Sequence, residues 1–523
     1  MHRCFLARLV RCLFLATATL SPLWAQGQST PPAPAVESSN LAALESLIAH
    51  GREQLELEDP VAAWESFRRA ARDGADPHMC FVGLGRTHLM LGHSAFAVAY
   101  AEASLRTDPT SQEAMALRIR SLIRARRFDE AVLSASRFLL RITEPGADLQ
   151  AARASSLFRV QRIDEAATGY RKVVQLEPLH PEGHLRLGSG LLPPCVLAPD
   201  PRLASAVAEL GQGQRDRAIT LLQAVLATAP DHPIAHRLLG ETLFANKAAA
   251  SMAATDPAFA ALAAALPKPN VRGLPVAQFV PGYAKLSPAR RAVVDRTAAM
   301  FQKQLGKLVA IGGRHDLLEE LERTTDADAR ANLRGKRTFD GRVWDDVRGV
   351  GGVQAATGIE ALDDAATFGF DTFAHEVAHQ VHYYTFTPLQ RARIRALYDL
   401  AILEGRCLDY YAASNEAEYF GQGVEAFASY GKRPGSETTH GHTRFELLRI
   451  DPELHRFLES VVDHDPLAMP EVRERVLEAA VAVALRCGRA ADAKVAAGLL
   501  AKGPLRTRLE VDVDRALQAS RCH

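Results

Sequence analysis

The sequence predicts a mainly α-helical chain built in two parts: a stack of repeated helix pairs over residues 41–262 and an α+β domain over 288–465. Three observations carry that reading. Small residues recur at a fixed spacing through the first half, and proline and glycine break the helical rhythm between 263 and 287. In the second half, two histidines stand four residues apart around a glutamate. A chain of 523 residues exceeds one domain, and 47% hydrophobic with 24% charged residues is the composition of a water-soluble globular protein. A formal charge of +1 leaves no basic excess, so no nucleic-acid partner is expected.

The first 25 residues differ from the rest. Arg3, Arg8 and Arg11 punctuate an apolar stretch that runs from Cys12 to Leu20, and Ser21-Pro22-Leu23-Trp24-Ala25 ends it at a small residue. This predicts a signal peptide at 1–25, a secreted or periplasmic mature chain, and a Ser/Pro/Gln-rich disordered tether at 26–40. The apolar run is shorter than the roughly 20 residues that span a bilayer, and no later segment reads as long enough, so no stable membrane insertion is expected. Beyond the leader, Cys80, Cys195, Cys407, Cys487 and Cys522 are odd in number and lack a CxxC pair. They predict buried free thiols, with at most one bridge and no thiolate metal site.

The repeat begins with Gly51, Ala63, Phe67 and Ala70, matched 34 residues on by Gly85, Ala97, Ala101 and Ser104. The steps continue at Ala131 and Ala135, then at Ala166, Tyr170, Val173 and Pro178. After an interruption at Leu192-Pro193-Pro194-Cys195, they resume with Gly211, Ala218, Leu222, Val225, Pro230 and Gly240. Small residues at these points let helices cross closely, and each pair buries its apolar stripe only against its neighbours. The pattern resembles the tetratricopeptide repeat, about five or six units of it. That resemblance implies a solenoid with a binding surface for a protein partner.

Residues 263–287 read as a linker. A helix is expected over Pro288–Leu305, and Lys307–Ile311, bounded by glycines, has the length of a buried strand. Asp345–Gly358 reads as a turn or edge strand. Its Val347-Arg348-Gly349-Val350-Gly351-Gly352 lacks the GxGxxG spacing, so no nucleotide site is expected. His440-Gly441-His442 falls in a Gly/Ser/Thr-rich stretch that predicts a mobile loop with solvated histidines. Residues 466–523 read as C-terminal helices packing on the second domain.

The chemistry is concentrated at His375-Glu376-Val377-Ala378-His379. On a helix, positions i and i+4 lie about 40° apart, so both imidazoles can close on one Zn²⁺ while Glu376 stands beside that face as a general base. Asp371 is placed as the N-cap, and Phe373, Val377 and Val381 supply the apolar stripe. A third ligand is needed. His382 shares the face, but three side chains from consecutive turns spread over about 10 Å, whereas ligand atoms must lie about 2 Å from one ion.

Downstream stand Tyr411, Asn415-Glu416-Ala417-Glu418-Tyr419-Phe420 and Gly423-Val424-Glu425-Ala426-Phe427. With HExxH, this segment resembles the catalytic domain of the anthrax toxin lethal factor-like zinc peptidases, which are gluzincin-type zincins. The resemblance implies a zincin-like α+β fold and a metalloendopeptidase acting on a protein or peptide substrate. It implies His375, His379 and Glu418 as zinc ligands, Glu376 as base and Tyr411 as the group that stabilises the transition state. Gly421-Gln422 departs from the family's Ala-Glu, which replaces an outer carboxylate with an amide. Two other readings stand beside the peptidase: a secreted scaffold whose zincin-like domain is inactive, and a hydrolase of non-peptide amides.

Overall fold

Prolines open many of the helices. In the computed structural model, which describes residues 36–364, 370–433 and 441–521, the described residues from Glu45 onward form one compact unit. The first half is a run of helices: α1 (Val36–Glu56), α2 (Pro60–Arg72), α3 (Pro77–Met90), α4 (Ser94–Thr107), α5 (Gln112–Arg124) and α6 (Phe128–Leu139). It continues with α7 (Ala147–Arg159), α8 (Ile163–Leu176), α9 (Pro181–Arg186), α10 (Pro201–Gly211), α11 (Arg215–Thr228) and α12 (Pro233–Ala265). Asp59, Asp76 and Asp200 each cap the helix that the next proline starts, accepting a backbone N–H that would otherwise be orphaned. Residues 36–40, expected in the tether, open α1 instead. The leader at 1–25, the rest of the tether, His440 and Cys522 lie outside the described residues.

The small-residue ladder marks where these helices cross. Ala63, Ala70, Ala97, Ala101, Ala131, Ala166, Ala218 and Val225 are all fully buried. Phe67 shows the principle most clearly. A methyl group on Gly51 or Gly83 would stand 2.8 or 2.3 Å from its ring, so the ring occupies space that only glycine leaves. Gly211 does not belong to the ladder. It is exposed at the end of α10, and the crossing is made by buried Ala206.

The interruption at Leu192-Pro193-Pro194-Cys195 falls in an irregular stretch before α10, and a kinked turn precedes it, Leu187–Leu191, in which Gly190 takes φ +88°. Helix α12 departs from the reading that no later segment is long enough: over 33 residues it is long and apolar enough, by length and composition, to cross a bilayer. Its polar Asn246-Lys247 and Asp256-Pro257 hid that run in the sequence. Its first turns are packed within the protein, while only 28% of the apolar window is buried. Gly240 meets the Leu185 backbone, and Arg237 is buried among Glu241, Glu320 and Glu360, at 3.0, 3.3 and 3.8 Å.

The second half starts with a helical turn at Val276–Phe279, inside the expected linker, then α13 (Pro288–Met300) and α14 (Gln302–Ala310). The strand expected at 307–311 is therefore helical: Leu305 and Leu308 are three residues apart and both buried, which is a helix face. The strand lies just beyond, at β1 (Arg314–Leu318), where His315 and Leu318 are buried while the charged Arg314 and Asp316 are not. With β2 (Gly349–Val350) and β3 (Gln354–Gly358) it forms a three-stranded sheet of order β1-β3-β2. β3 is central, parallel to β1 with His315 opposite Ala355 and antiparallel to β2 with Val350 opposite Ala356. Only the glycine-rich β2 is the expected edge.

Helices α15 (Thr372–Tyr384), α16 (Pro388–Glu404), α17 (Glu416–Phe427), α18 (Arg444–Ile450) and α19 (Pro452–Val461) follow. Phe373, Val377 and Val381 of α15 share one core with Phe301, Leu305, Phe420 and Val424. The chain ends in α20 (Pro470–Arg486), α21 (Ala490–Gly498) and α22 (Pro504–Arg521). Their core takes in Leu262 of α12, and Arg486 pairs with Asp59 at 3.0 Å, so they bridge to the repeats as well as to the second domain. Cys80, Cys407 and Cys487 are buried free thiols, and Cys195 is an exposed one.

Candidate metal centre

The site is assembled by two helices held in register by polar pins. Asp371 caps α15 by accepting the Ala374 N–H, and its own N–H donates to Glu425 of α17 at 3.2 Å. Gln380 fixes the other end of α15 to the sheet: its amide donates to the Arg314 and Val353 carbonyls, and its oxygen pairs with His315 at 3.1 Å. Asn415 caps α17 through the Glu418 N–H, which sets the first turn that carries Glu418.

These helices bring His375, His379 and Glu418 together, with one ligand atom from each within 4.8 Å of the others. Among the described residues no second cluster of His, Cys, Asp and Glu does so. Nε2 of His375 lies 2.9 Å from Glu418 Oε2, and Nε2 of His379 lies 3.5 Å from it. Ligand atoms around a tetrahedral ion with bonds of about 2.0–2.1 Å stand about 3.3 Å apart, so this donor set fits zinc. His382 is placed elsewhere. Its fully buried ring stacks on Tyr383 and faces Glu416 at 3.3 Å. Burial pushes it down to about 4, with Glu416 opposing.

The electrostatics follow the packing. Burial alone would raise Glu418, but its bonds to both histidines hold it well below the usual carboxylate range. Glu376 is buried and outside the ligand set. Burial raises it to about 7, His379 opposes that, and Glu418 adds to it. Tyr411 stands with its ring 6.2 Å from that of His375, and its hydroxyl is pushed well up by burial and by Glu418.

Sequence reasoning missed the cradle of glycines. A methyl group on Gly349 would lie 2.7 Å from Glu376 Oε1, on Gly351 3.2 Å from His379 Cβ, and on Gly421 2.7 Å from His375 Cε1. The backbone of β2 and the middle of α17 must therefore approach bare. The glycine-rich stretch at 349–352 was the available signal, and it reads locally as a turn. Gln422 is fully buried, and neither amide atom has a partner among the described residues.

His442 was also misread. It is buried, 3.1 Å from both Asp409 and Glu446, and although burial opposes it, those two carboxylates raise it to about 10. A cavity of about 840 Å³, lined by Pro194, Val196, Leu203, His232 and Arg323, includes none of the candidate ligands.

Residues 203–267 match the tetratricopeptide repeat family. No curated protein matches the chain. Among solved structures, a thermophilic tetratricopeptide-repeat protein of Thermus thermophilus aligns over 38% of this chain and 99% of its own, at 19% identity and TM-score 0.27. A tetratricopeptide-repeat protein of Parabacteroides merdae aligns over 51% and 90%, at 16% identity and TM-score 0.25. Yeast Tom70 aligns over 92% and 96%, at 12% identity and TM-score 0.23. Such scores fall below those of chains sharing an overall fold. Its own helices and the family match over 203–267 make the protein mainly helical with tetratricopeptide-like repeats, an architecture suited to holding protein or peptide partners.

Proposed function

We propose that this protein is an exported zinc-dependent metallopeptidase whose helical repeats hold the protein or peptide it acts on. The observation that carries this reading is the convergence of His375, His379 and Glu418 beside a Glu376 that stays out of the ligand set. His375 and His379 would hold the ion as neutral imidazoles and Glu418 as a carboxylate. When bound, zinc supplies Lewis acidity, which polarises a carbonyl and acidifies a water. Glu376, wedged against Gly349, accepts the proton of the attacking water and returns it to the departing amine. The Tyr411 hydroxyl donates to the carbonyl oxygen as it gains charge. The arginine-flanked apolar run at the N-terminus supports export.

A second reading, a repeat-based binding protein with a silent metal centre, has two specific supports: Gln422, whose amide has no partner among the described residues, and a family match confined to the repeats. One experiment separates the two. Wild type and Glu376→Gln should each bind one zinc per chain, while Glu376→Gln cleaves an unstructured peptide at least ~100-fold more slowly. Glu418→Ala should lose the zinc that His382→Ala keeps. Absence of zinc, or undiminished turnover in Glu376→Gln, overturns the peptidase.

A further inference from the structure

Residues 336–344 form a tight hairpin between the repeats and the metal centre. Arg337 and Val343 bridge in antiparallel fashion, Thr338 N–H donates to the Arg342 carbonyl at 2.8 Å, and Trp344 N–H donates to that of Lys336 at 3.0 Å. The repeats grip its back. Val343 N–H donates to the carbonyl of Gly190, the left-handed residue of the kinked turn, at 2.7 Å. Gln161 donates to the Phe339 carbonyl at 3.3 Å, and Ile163 fills the space beside Gly341, where a methyl group would stand 2.5 Å from it. The front of the hairpin meets the site, with the Phe339 ring 6.0 Å from that of Tyr411.

This hairpin carries Arg342. Asp340 accepts from its Nε at 2.8 Å, while Nη1 and Nη2 have no hydrogen-bond partner among the described residues. The side chain is recessed, yet 24% of its surface is open. It stands three residues after Phe339 on the hairpin whose front meets Tyr411. A guanidinium held through Nε by one carboxylate presents its two terminal nitrogens as a preorganised fork, and such a fork fits a second carboxylate end-on.

We propose that Arg342 is a specificity-determining residue that takes a carboxylate of the substrate beside the reacting bond. The inference rests on the peptidase reading above. The carboxylate belongs either to the C-terminus of a peptide or to an acidic side chain. The repeat turn at Gly190 and the α7–α8 turn at Gln161 then act on specificity, because they hold the hairpin in place.

The test uses the full chain and a matched series: an acetylated neutral peptide as the free acid, the same peptide amidated, and the amide with an internal glutamate. The zinc-loaded wild type should favour at least one carboxylate-bearing member over the neutral amide by tenfold or more in kcat/KM. The free acid alone winning identifies the peptide terminus, and the glutamate amide alone identifies a side chain. In Arg342→Gln and Arg342→Lys that preference should collapse, through KM rather than kcat. Calorimetry on the zinc-free chain supplies a readout independent of turnover: the favoured peptide should bind wild type at least tenfold more tightly than Arg342→Gln. Equal handling of all three peptides by wild type, or unchanged affinity in the zinc-free variants, overturns the role of Arg342. Failure of wild type to cleave any peptide while that affinity difference persists overturns only the peptidase reading.

Discussion

The repeats and the candidate metal centre both depend on residues that leave space, but for different ends. In the repeats, Gly51 and Gly83 make room for Phe67, an apolar ring with no chemistry to perform. At the centre, Gly349, Gly351 and Gly421 make room for Glu376, His379 and His375. The same steric device serves cohesion in one place and aim in the other. Damage to the first should therefore register as stability and damage to the second as metal affinity, and substitutions that cross those readouts would break the comparison.

The largest effect is expected at the repeat crossing. Phe67 is 1% exposed, and truncation to alanine leaves a void that two flanking glycines cannot fill. Phe67→Ala should cost about 3–5 kcal/mol of stability, measured by chemical or thermal unfolding. Zinc bound per folded molecule should stay that of wild type. Zinc loss without destabilisation would show that the two uses of small residues are not separable.

Gly421→Ala is the converse. Alanine in a helix interior is worth about 1 kcal/mol more than glycine, so α17 itself gains. The added methyl group nevertheless meets His375 at 2.7 Å and must turn the imidazole. Zinc affinity should fall about 10- to 100-fold, with turnover following, while the zinc-free chain keeps its helical circular dichroism. Unchanged zinc affinity would remove Gly421 from the site.

The polar cluster around His442 sharpens the contrast, because apolar crossings are indifferent to pH and this contact is not. Asp409, Glu446, Arg489, Arg449 and Asp492 surround the ring or its partners. Its folded value of about 10 exceeds the unfolded value of about 6.5. The contribution is therefore complete below about pH 6.5 and fades as pH rises through about 10, by at most about 1.4 kcal/mol per pH unit. The gap in thermal midpoint between wild type and His442→Gln should narrow steadily from pH 7 to 10. A constant gap would mean that the imidazole is not charged in the fold.

These contrasts also explain what could be read from the sequence. The ladder Ala63, Ala97, Ala131 and Ala166 was legible because each repeat solves the same local problem again. The helix carrying His375 and His379 was legible because cap, stripe and ligands lie within about three turns of one segment. Gly349, Gly351 and Arg342 were not, since their roles depend on residues brought together only by folding. The strand at Arg314–Leu318 was hidden by its charges, which face Arg330 and solvent. His442 was hidden by its flexible-looking neighbours, because an ion pair with Asp409, 33 residues away, leaves no local trace.

The smallest expected effect tests how far the aim of the centre has been tuned. Gln422 lies four residues after Glu418 on α17, so it shares the ligand face one turn along. It is fully buried, and among the described residues its amide is unpartnered, as is Nδ1 of His375. A carboxylate at 422 could accept from an imidazole N–H and orient the ring, which an amide does less strongly. It would also place a charge in a buried position, which costs stability until the ion is bound. Gln422→Glu should thus tighten zinc by up to about tenfold and lower the thermal midpoint of the zinc-free chain, so that bound zinc raises the midpoint more than in wild type. Competition with a chelator measures the first effect and calorimetric unfolding with and without zinc the second. If zinc binds no more tightly, Gln422 does not act on the ligands. Its buried amide would then belong with Phe67 as part of the packing.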